Sequence, residues 1–427
     1  MNPAALSLEQ TPPLSVPMRF FLTAPLFVVA AAAVMLWYGP VVLSSRWMPS
    51  LLAVTHFVTL GFLAMIMIGA VQQLLPILMA SPVPRPQLTS RAIHLLLTTG
   101  TLLLGTGMLT GRAGLFIPAM VSLGAGLLIF IVVVAYCLIH ARSSHATVSA
   151  MALAITGLAV TSGIGLVLAG GYGLAFFQLP RYLTDLHLVW GLLGWVGLLV
   201  IGIAYQVVPM FQLTSNYPAV VMRWLPRGLF LALLLWSVAQ LFPASYYWLE
   251  LPGGAGLAAG YVSFAVITLL LQQRRRRQVS DVSVNYWRLA LVSLLLAMVL
   301  WGVDGLTTLQ HAELLFGVLL VLGFSMSVVS GMLYKIVPFL VWLHLNNHMQ
   351  AAGRWGEKIP NMKQILPELH SRWQFWLQFA ALLLMLGAVL WPLLTRPAAA
   401  CLLVAFALLW WNLLEGVRVY LRYVRAV

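Results

Sequence analysis

Three histidines in this chain stand where an imidazole could do chemistry. His56, His187 and His311 each open a long apolar segment that runs on to a proline. The segments are THFVTLGFLAMIMIGAVQQLLPIL from Thr55, LHLVWGLLGWVGLLVIGIAYQVVPMF from Leu186 and QHAELLFGVLLVLGFSMSVVSGMLYKIVPFL from Gln310. A neutral imidazole nitrogen is a common metal ligand and a common axial ligand of haem iron. A histidine in an apolar helix can equally be a packing residue that hydrogen-bonds a neighbour. Recurrence in three segments favours function, although common ancestry of the segments would also produce it. Gly61, Gly191 and Gly317 follow the histidines by about one turn. They would let a macrocycle approach the backbone, or let helices pack closely.

The segments end alike. GAVQQLLP, GIAYQVVP and GMLYKIVP align without gaps from Gly69 to Pro76, Gly202 to Pro209 and Gly331 to Pro338, and the prolines lie 133 and 129 residues apart. A repeat of that length is a bundle of several helices.

The composition says what kind of helices these are. The 427 residues are 62% hydrophobic and 7% charged, against roughly 25% charged in a soluble domain. A polytopic membrane protein is implied, with spans of about 20 apolar residues. The long apolar runs favour helices over a barrel. Twelve spans are expected near 19–43, 50–79, 91–111, 114–140, 149–172, 182–212, 226–243, 251–273, 286–303, 309–343, 372–394 and 397–421. The histidine helices are then the second, sixth and tenth. The reading is an all-α integral membrane protein, a single domain of three pseudo-symmetric four-helix arcs over 19–140, 149–273 and 286–421. Residues 344–371 are expected to form a cytoplasmic loop.

Charge sets the orientation. With the N-terminus cytoplasmic, eighteen Lys and Arg residues fall inside and four (Arg46, Arg112, Arg181, Arg396) outside, which satisfies the positive-inside bias. Both termini are then cytoplasmic, the three histidines form a layer towards the outside, and the prolines lie near the inner ends. The net charge of +14 is read as cytoplasmic loops, with no nucleic-acid partner. The Arg274–Arg277 run is read as an anchor at anionic lipid. Cys137 and Cys401 lie in apolar runs without metal spacing, and no cleavable signal, phosphate loop or haem-attachment motif is evident.

The three-by-four plan, with a histidine early in the second, sixth and tenth helices, resembles the main subunit of the haem-copper oxidase superfamily of terminal oxidases and nitric oxide reductases. HLVWGLLGWVGLLVIGIAYQVVP is similar to the HxxxG…GxxxxxxP helix that carries a copper ligand in one branch. HFVTLGFLAMIMIGAVQQLLP has the cadence of that branch's haem-bearing tenth helix. The family's copper needs an adjacent histidine pair in the seventh helix, and residues 213–250 contain no histidine. Its tenth helix carries HxH where this chain has LQHAE. The resemblance therefore implies one low-spin haem b on His56 and His311, a copper at His187 with too few ligands, and no oxygen-reducing centre. It also implies a respiratory partner subunit or electron donor, and a bacterial cytoplasmic membrane. If the chain is an enzyme, it is an oxidoreductase of the cytochrome oxidase or nitric oxide reductase type. Haem and copper membrane proteins of the NnrS family share the histidine-helix style, but their tryptophan–threonine–glycine signature is missing. The competing expectation is a non-catalytic transporter or an assembly factor for a respiratory complex.

Other polar residues receive plainer readings. Asp185 is expected to pair with Arg181 on the surface. Lys335, Gln73 and Gln206 share one level near the inner ends, either as a hydrogen-bonded ring or with Lys335 reaching the interface. His344 and His348, four apart, lack a third ligand, and His94, His140, His145 and His370 carry no assigned chemistry.

Overall fold

A computed structural model describes residues 11–79, 83–141, 146–174, 180–276, 281–307, 309–354 and 358–425. The loop residues Arg142, His145 and Arg277 lie outside these. Among the described residues every regular element is helical. Twelve helices are long and apolar enough to cross a membrane: α1 (Ser15–Leu43), α2 (Pro49–Pro76), α3 (Pro86–Thr110), α4 (Ala113–Ile139), α5 (Ala146–Gly173), α6 (Arg181–Gln212), α7 (Ala219–Leu241), α8 (Pro243–Gln273), α9 (Val282–Thr307), α10 (Ala312–Ala351), α11 (Glu368–Leu390) and α12 (Pro392–Arg425). The protein is an all-α integral membrane protein, and helices suit the bilayer because each satisfies its own backbone.

The helices pack as three copies of one plan. In each unit the first helix lies on the second, and the third lies on both the second and the fourth. The fourth helix then meets the first helix of the next unit: α4 on α5, α8 on α9, and α12 back on α1. This closes the bundle. The second helix of each unit forms the middle. About two-thirds or more of the most apolar stretch is buried in α2, α6 and α10 (67%, 72% and 67%), against 22–50% in the other nine. The outward faces of the peripheral helices carry exposed Leu95, Val121 and Leu128, as lipid-facing surfaces do.

Each central helix contains a π-helical stretch: Phe57–Ala64 in α2, Trp190–Gly197 in α6 and Leu319–Ser325 in α10. All three begin twelve residues before the repeat glycine, at Gly69, Gly202 and Gly331. Each holds a second glycine eight residues before it, in LGF, LGW and LGF: Gly61, Gly194 and Gly323. These glycine pairs are where the first helix of the unit crosses. A Cβ on Gly69, Gly202 or Gly331 would lie 2.9, 2.7 or 2.5 Å from the Cβ of Phe20, Ala150 or Tyr286. At the other end, a Cβ on Gly61 would meet Phe27, and one on Gly323 would lie 2.6 Å from the Cβ of Ser293. In the middle unit a Cβ on Gly157 would lie 2.5 Å from the Gly194 carbonyl oxygen.

The crossing residues on the first helices are seven apart (20 and 27, 150 and 157, 286 and 293), whereas the glycines they meet are eight apart. At 3.6 residues per turn, seven residues return to within about 20° of the same face, while eight overshoot by about 80°. A wide π turn absorbs one residue and brings both glycines back to the crossing helix. The π stretch is therefore a consequence of the glycine spacing and the close helix contact.

The helices run past the prolines that close the repeat motif. Pro76, Pro209 and Pro338 are all inside helices. The expected loop at 344–371 is shorter than read. No Gly or Pro interrupts the sequence between Pro338 and Gly353, so α10 continues through His344 and His348 to Ala351, and Gly353 then turns the chain at φ +72°. A short helix, Met362–Ile365, carries an Asn361 capping box, and α11 starts at Glu368.

Candidate histidine centre between two central helices

The three histidines are not equivalent in the repeat. His56, His187 and His311 precede their repeat glycines by 13, 15 and 20 residues. His56 immediately precedes the π stretch of α2, and His187 lies three residues before that of α6. The structure brings these two together. Their rings lie nearly parallel, at 24°, with centres 6.2 Å apart. His311 sits instead at the exposed start of α10, in left-handed backbone at φ +62°, and lines an open cavity of about 420 Å³ with Ser44, Arg46, Trp47, Asp304 and Glu313.

Both paired imidazoles are held by the same nitrogen. His56 Nδ1 donates to the Leu52 carbonyl one turn back, at 2.7 Å. His187 Nδ1 donates to the Thr161 carbonyl on α5, at 3.0 Å. A carbonyl only accepts, so each Nδ1 must carry the proton and each Nε2 keeps its lone pair. That is the tautomer a metal-ligating histidine adopts when a backbone carbonyl orients it. Neither Nε2 has a hydrogen-bond partner among the described residues. Gly165, one turn after Thr161, makes room for the second ring: a Cβ there would lie 2.8 Å from His187 Cε1. The glycines expected to serve a macrocycle do other work. Gly61 receives Phe27, Gly191 faces Thr161 Cγ2 at 3.3 Å, and Gly317 borders open space.

Arg46 joins all three units above this pair. It lies in the connection from α1 to α2, on the histidine end of the bundle. One guanidinium nitrogen is 2.5 Å from Asp185 on α6, and the other is 3.2 Å from Glu313 on α10. Trp47 lies beneath it, with the Arg46 Cζ 4.5 Å and the Arg181 Cζ 5.9 Å from its ring. Asp185 therefore pairs with Arg46, not with Arg181. A salt bridge between residues far apart in sequence leaves no spacing signal, which is why the local pairing was the natural expectation.

The other end of the bundle is polar in a different way in each unit. Lys335 forms an ion pair with Asp281, 2.5 Å away, which answers the charge at that level. Gln206 donates to Thr147 at 3.4 Å, while both polar atoms of buried Gln73 are without a partner. Each of the three thus has its own surroundings and the units differ there. In the third unit, buried Gln374 accepts from Tyr286 and donates to Gln378, which donates to Ser327. Asn412 donates to Tyr334 at 2.9 Å. His344 has both ring nitrogens occupied, by the Leu340 carbonyl at 2.9 Å and the Pro12 carbonyl at 3.1 Å, so it is not half of a metal pair with His348. His94 bonds Thr23 at 2.9 Å and packs edge-on to Phe20.

Among the described residues there is no group of three or more His, Cys, Asp and Glu side chains placed to hold a metal ion. The ligating capacity of the centre is two imidazoles. That set suits an iron whose other positions are filled by a macrocycle, and it leaves a bare copper ion under-coordinated. No protein-family model matches the sequence, and no curated protein is significantly similar to it.

Proposed function

We propose that this protein is a redox membrane protein that carries one b-type haem between α2 and α6, with His56 and His187 as its axial ligands. The observation that supports this reading is the shared tethering of the two rings: each Nδ1 is committed to a carbonyl, each Nε2 has no partner among the described residues, and the ring centres lie 6.2 Å apart. A haem held by these two histidines would supply one-electron transfer, and with both histidines bound it would leave oxygen no place to bind. The residues of the chain hold and orient: Leu52 and Thr161 fix the ring tautomers, and Gly165 seats His187 against α5. His311 has no part in ligation on this reading, and His187 is a haem ligand in place of a copper ligand.

The charge distribution supports an orientation with the histidine end outside and both termini in the cytoplasm. An electron donor or respiratory partner would then meet the outer face. The resemblance to haem-copper oxidases rests on the same helix plan with a reduced ligand set, and the proposal includes no oxygen reduction. The test is the full chain purified from cells with ample haem supply. A Soret band, a b-type pyridine haemochrome near one haem per chain and a six-coordinate low-spin resonance are expected. Intact, folded protein with no Soret band refutes the haem.

A further inference from the structure

Arg46 occupies a place that the haem reading does not use. It lies three residues before Pro49, where α2 starts, and ten before His56. Its guanidinium reaches Asp185, two residues before His187 on the same short turn of α6. The two helices that carry the paired rings are therefore fastened to each other at their starts, through one side chain. The second arm of the guanidinium takes Glu313, two residues after His311 at the start of α10. One cation thus holds a carboxylate from each of the other two units. Three of the chain's nine acidic residues, Asp185, Asp304 and Glu313, gather at this end of the bundle around it.

His56 is anchored within its own helix and His187 to α5. Neither anchor sets the distance between the two rings. A guanidinium can fork to two carboxylates at fixed angles because it is planar with five donors, whereas an ammonium cannot. The indole of Trp47 under Arg46 holds that plane in place.

We propose that Arg46 is the positioning residue of the His56–His187 pair: by gripping Asp185 and Glu313 it sets the spacing of the two imidazoles and closes the way to them from the histidine end. This rests on the haem reading for its ligand but not for its geometry, so two readouts are needed. The first is the rate at which the purified full chain loses haem to apomyoglobin. The second is the rate at which diethylpyrocarbonate modifies His187, followed by mass spectrometry, in the same chain expressed under haem limitation.

Arg46→Gln is expected to lose haem about 10–100-fold faster, the usual scale for removing a residue that orients a ligand, and to expose His187 to faster modification. Arg46→Lys should fall between, because it keeps the charge without the fork. Asp185→Asn should act more strongly than Glu313→Gln, since Asp185 shares a helix turn with His187. Should Arg46→Gln fail to fold, Asp185→Asn carries the test, because Arg46 keeps Glu313 there. Wild-type rates in both readouts for Arg46→Gln, or for Asp185→Asn in its place, overturn the proposal. A wild type without haem overturns the haem reading instead, and the modification rates then decide the positioning role alone.

Discussion

Gly323 tests whether the π stretches are caused by helix crossing. A methyl group on Gly323 would lie 2.6 Å from both Cβ and Oγ of Ser293 on α9, and Ser293 is buried. Carbon atoms at rest sit about 3.5–4.0 Å apart, so α9 must move outward by about 1 Å or α10 must rewind. Overpacking of this kind costs about 1–3 kcal/mol. Alanine in a helix in place of glycine returns up to ~1 kcal/mol, so Gly323→Ala should destabilise by about 0–2 kcal/mol net. The more decisive figure is a coupling. The middle unit solves the same crossing with Gly157 opposite Gly194, and Ser293→Gly copies that solution. Alone, Ser293→Gly should cost about 0.5 kcal/mol of helix propensity. Combined with Gly323→Ala it should recover the overpacking cost, a coupling of about 1–3 kcal/mol in the stabilising direction. The assay is reversible unfolding of the full chain in mixed micelles, for wild type, both single variants and the double variant. Strict additivity would mean that the two sites do not touch, and the account of the π stretches would fail with it.

Further outcomes follow from the same geometry. Gly165→Ala should disturb the haem spectrum through His187, whose Cε1 would lie 2.8 Å from the new carbon, with an unfolding midpoint near that of wild type; optical and resonance spectra check this. Lys335 and Asp281 are each about a quarter exposed, at 24% and 27%, so Asp281→Asn alone should destabilise by about 1–3 kcal/mol, between the values for surface and buried pairs. Lys335→Met with Asp281→Leu should be closer to wild type than either single change, because no unpaired charge remains; the four unfolding curves measure this. The charge asymmetry predicts a cytoplasmic C-terminus, so green fluorescent protein fused after Val427 should fluoresce and alkaline phosphatase fused there should be inactive. Removing the clasp at Arg46 should speed haem loss as set out above.

The spans and the repeat were legible because both are written in local sequence. Runs of apolar residues give the helices, and the gapless alignment ending at Pro76, Pro209 and Pro338 gives three units. The cause of the π stretches was also present, as glycines eight apart at Gly61 and Gly69, Gly194 and Gly202, and Gly323 and Gly331. Counting the earlier glycines from the histidines groups Gly61 with Gly191 and Gly317, and that grouping hides the spacing of eight. It also hides the difference in depth among the histidines, since His311 lies seven residues further from its repeat glycine than His56 does. The pairing of His56 with His187 and the grip of Arg46 on Asp185 and Glu313 depend on which helices are neighbours in space. No periodicity within one helix carries that information. Gln73, Gln206 and Lys335 align in sequence, yet their partners come from other helices and differ in each unit.

The most direct test compares reduced and oxidised visible spectra of the full chain carrying His56→Ala, His187→Ala or His311→Ala. With His56 and His187 as the axial pair, each of the first two changes removes the low-spin spectrum, and His311→Ala leaves it at the wild-type level. A low-spin spectrum that survives His187→Ala and disappears with His311→Ala contradicts the account, and would assign the haem to α2 and α10.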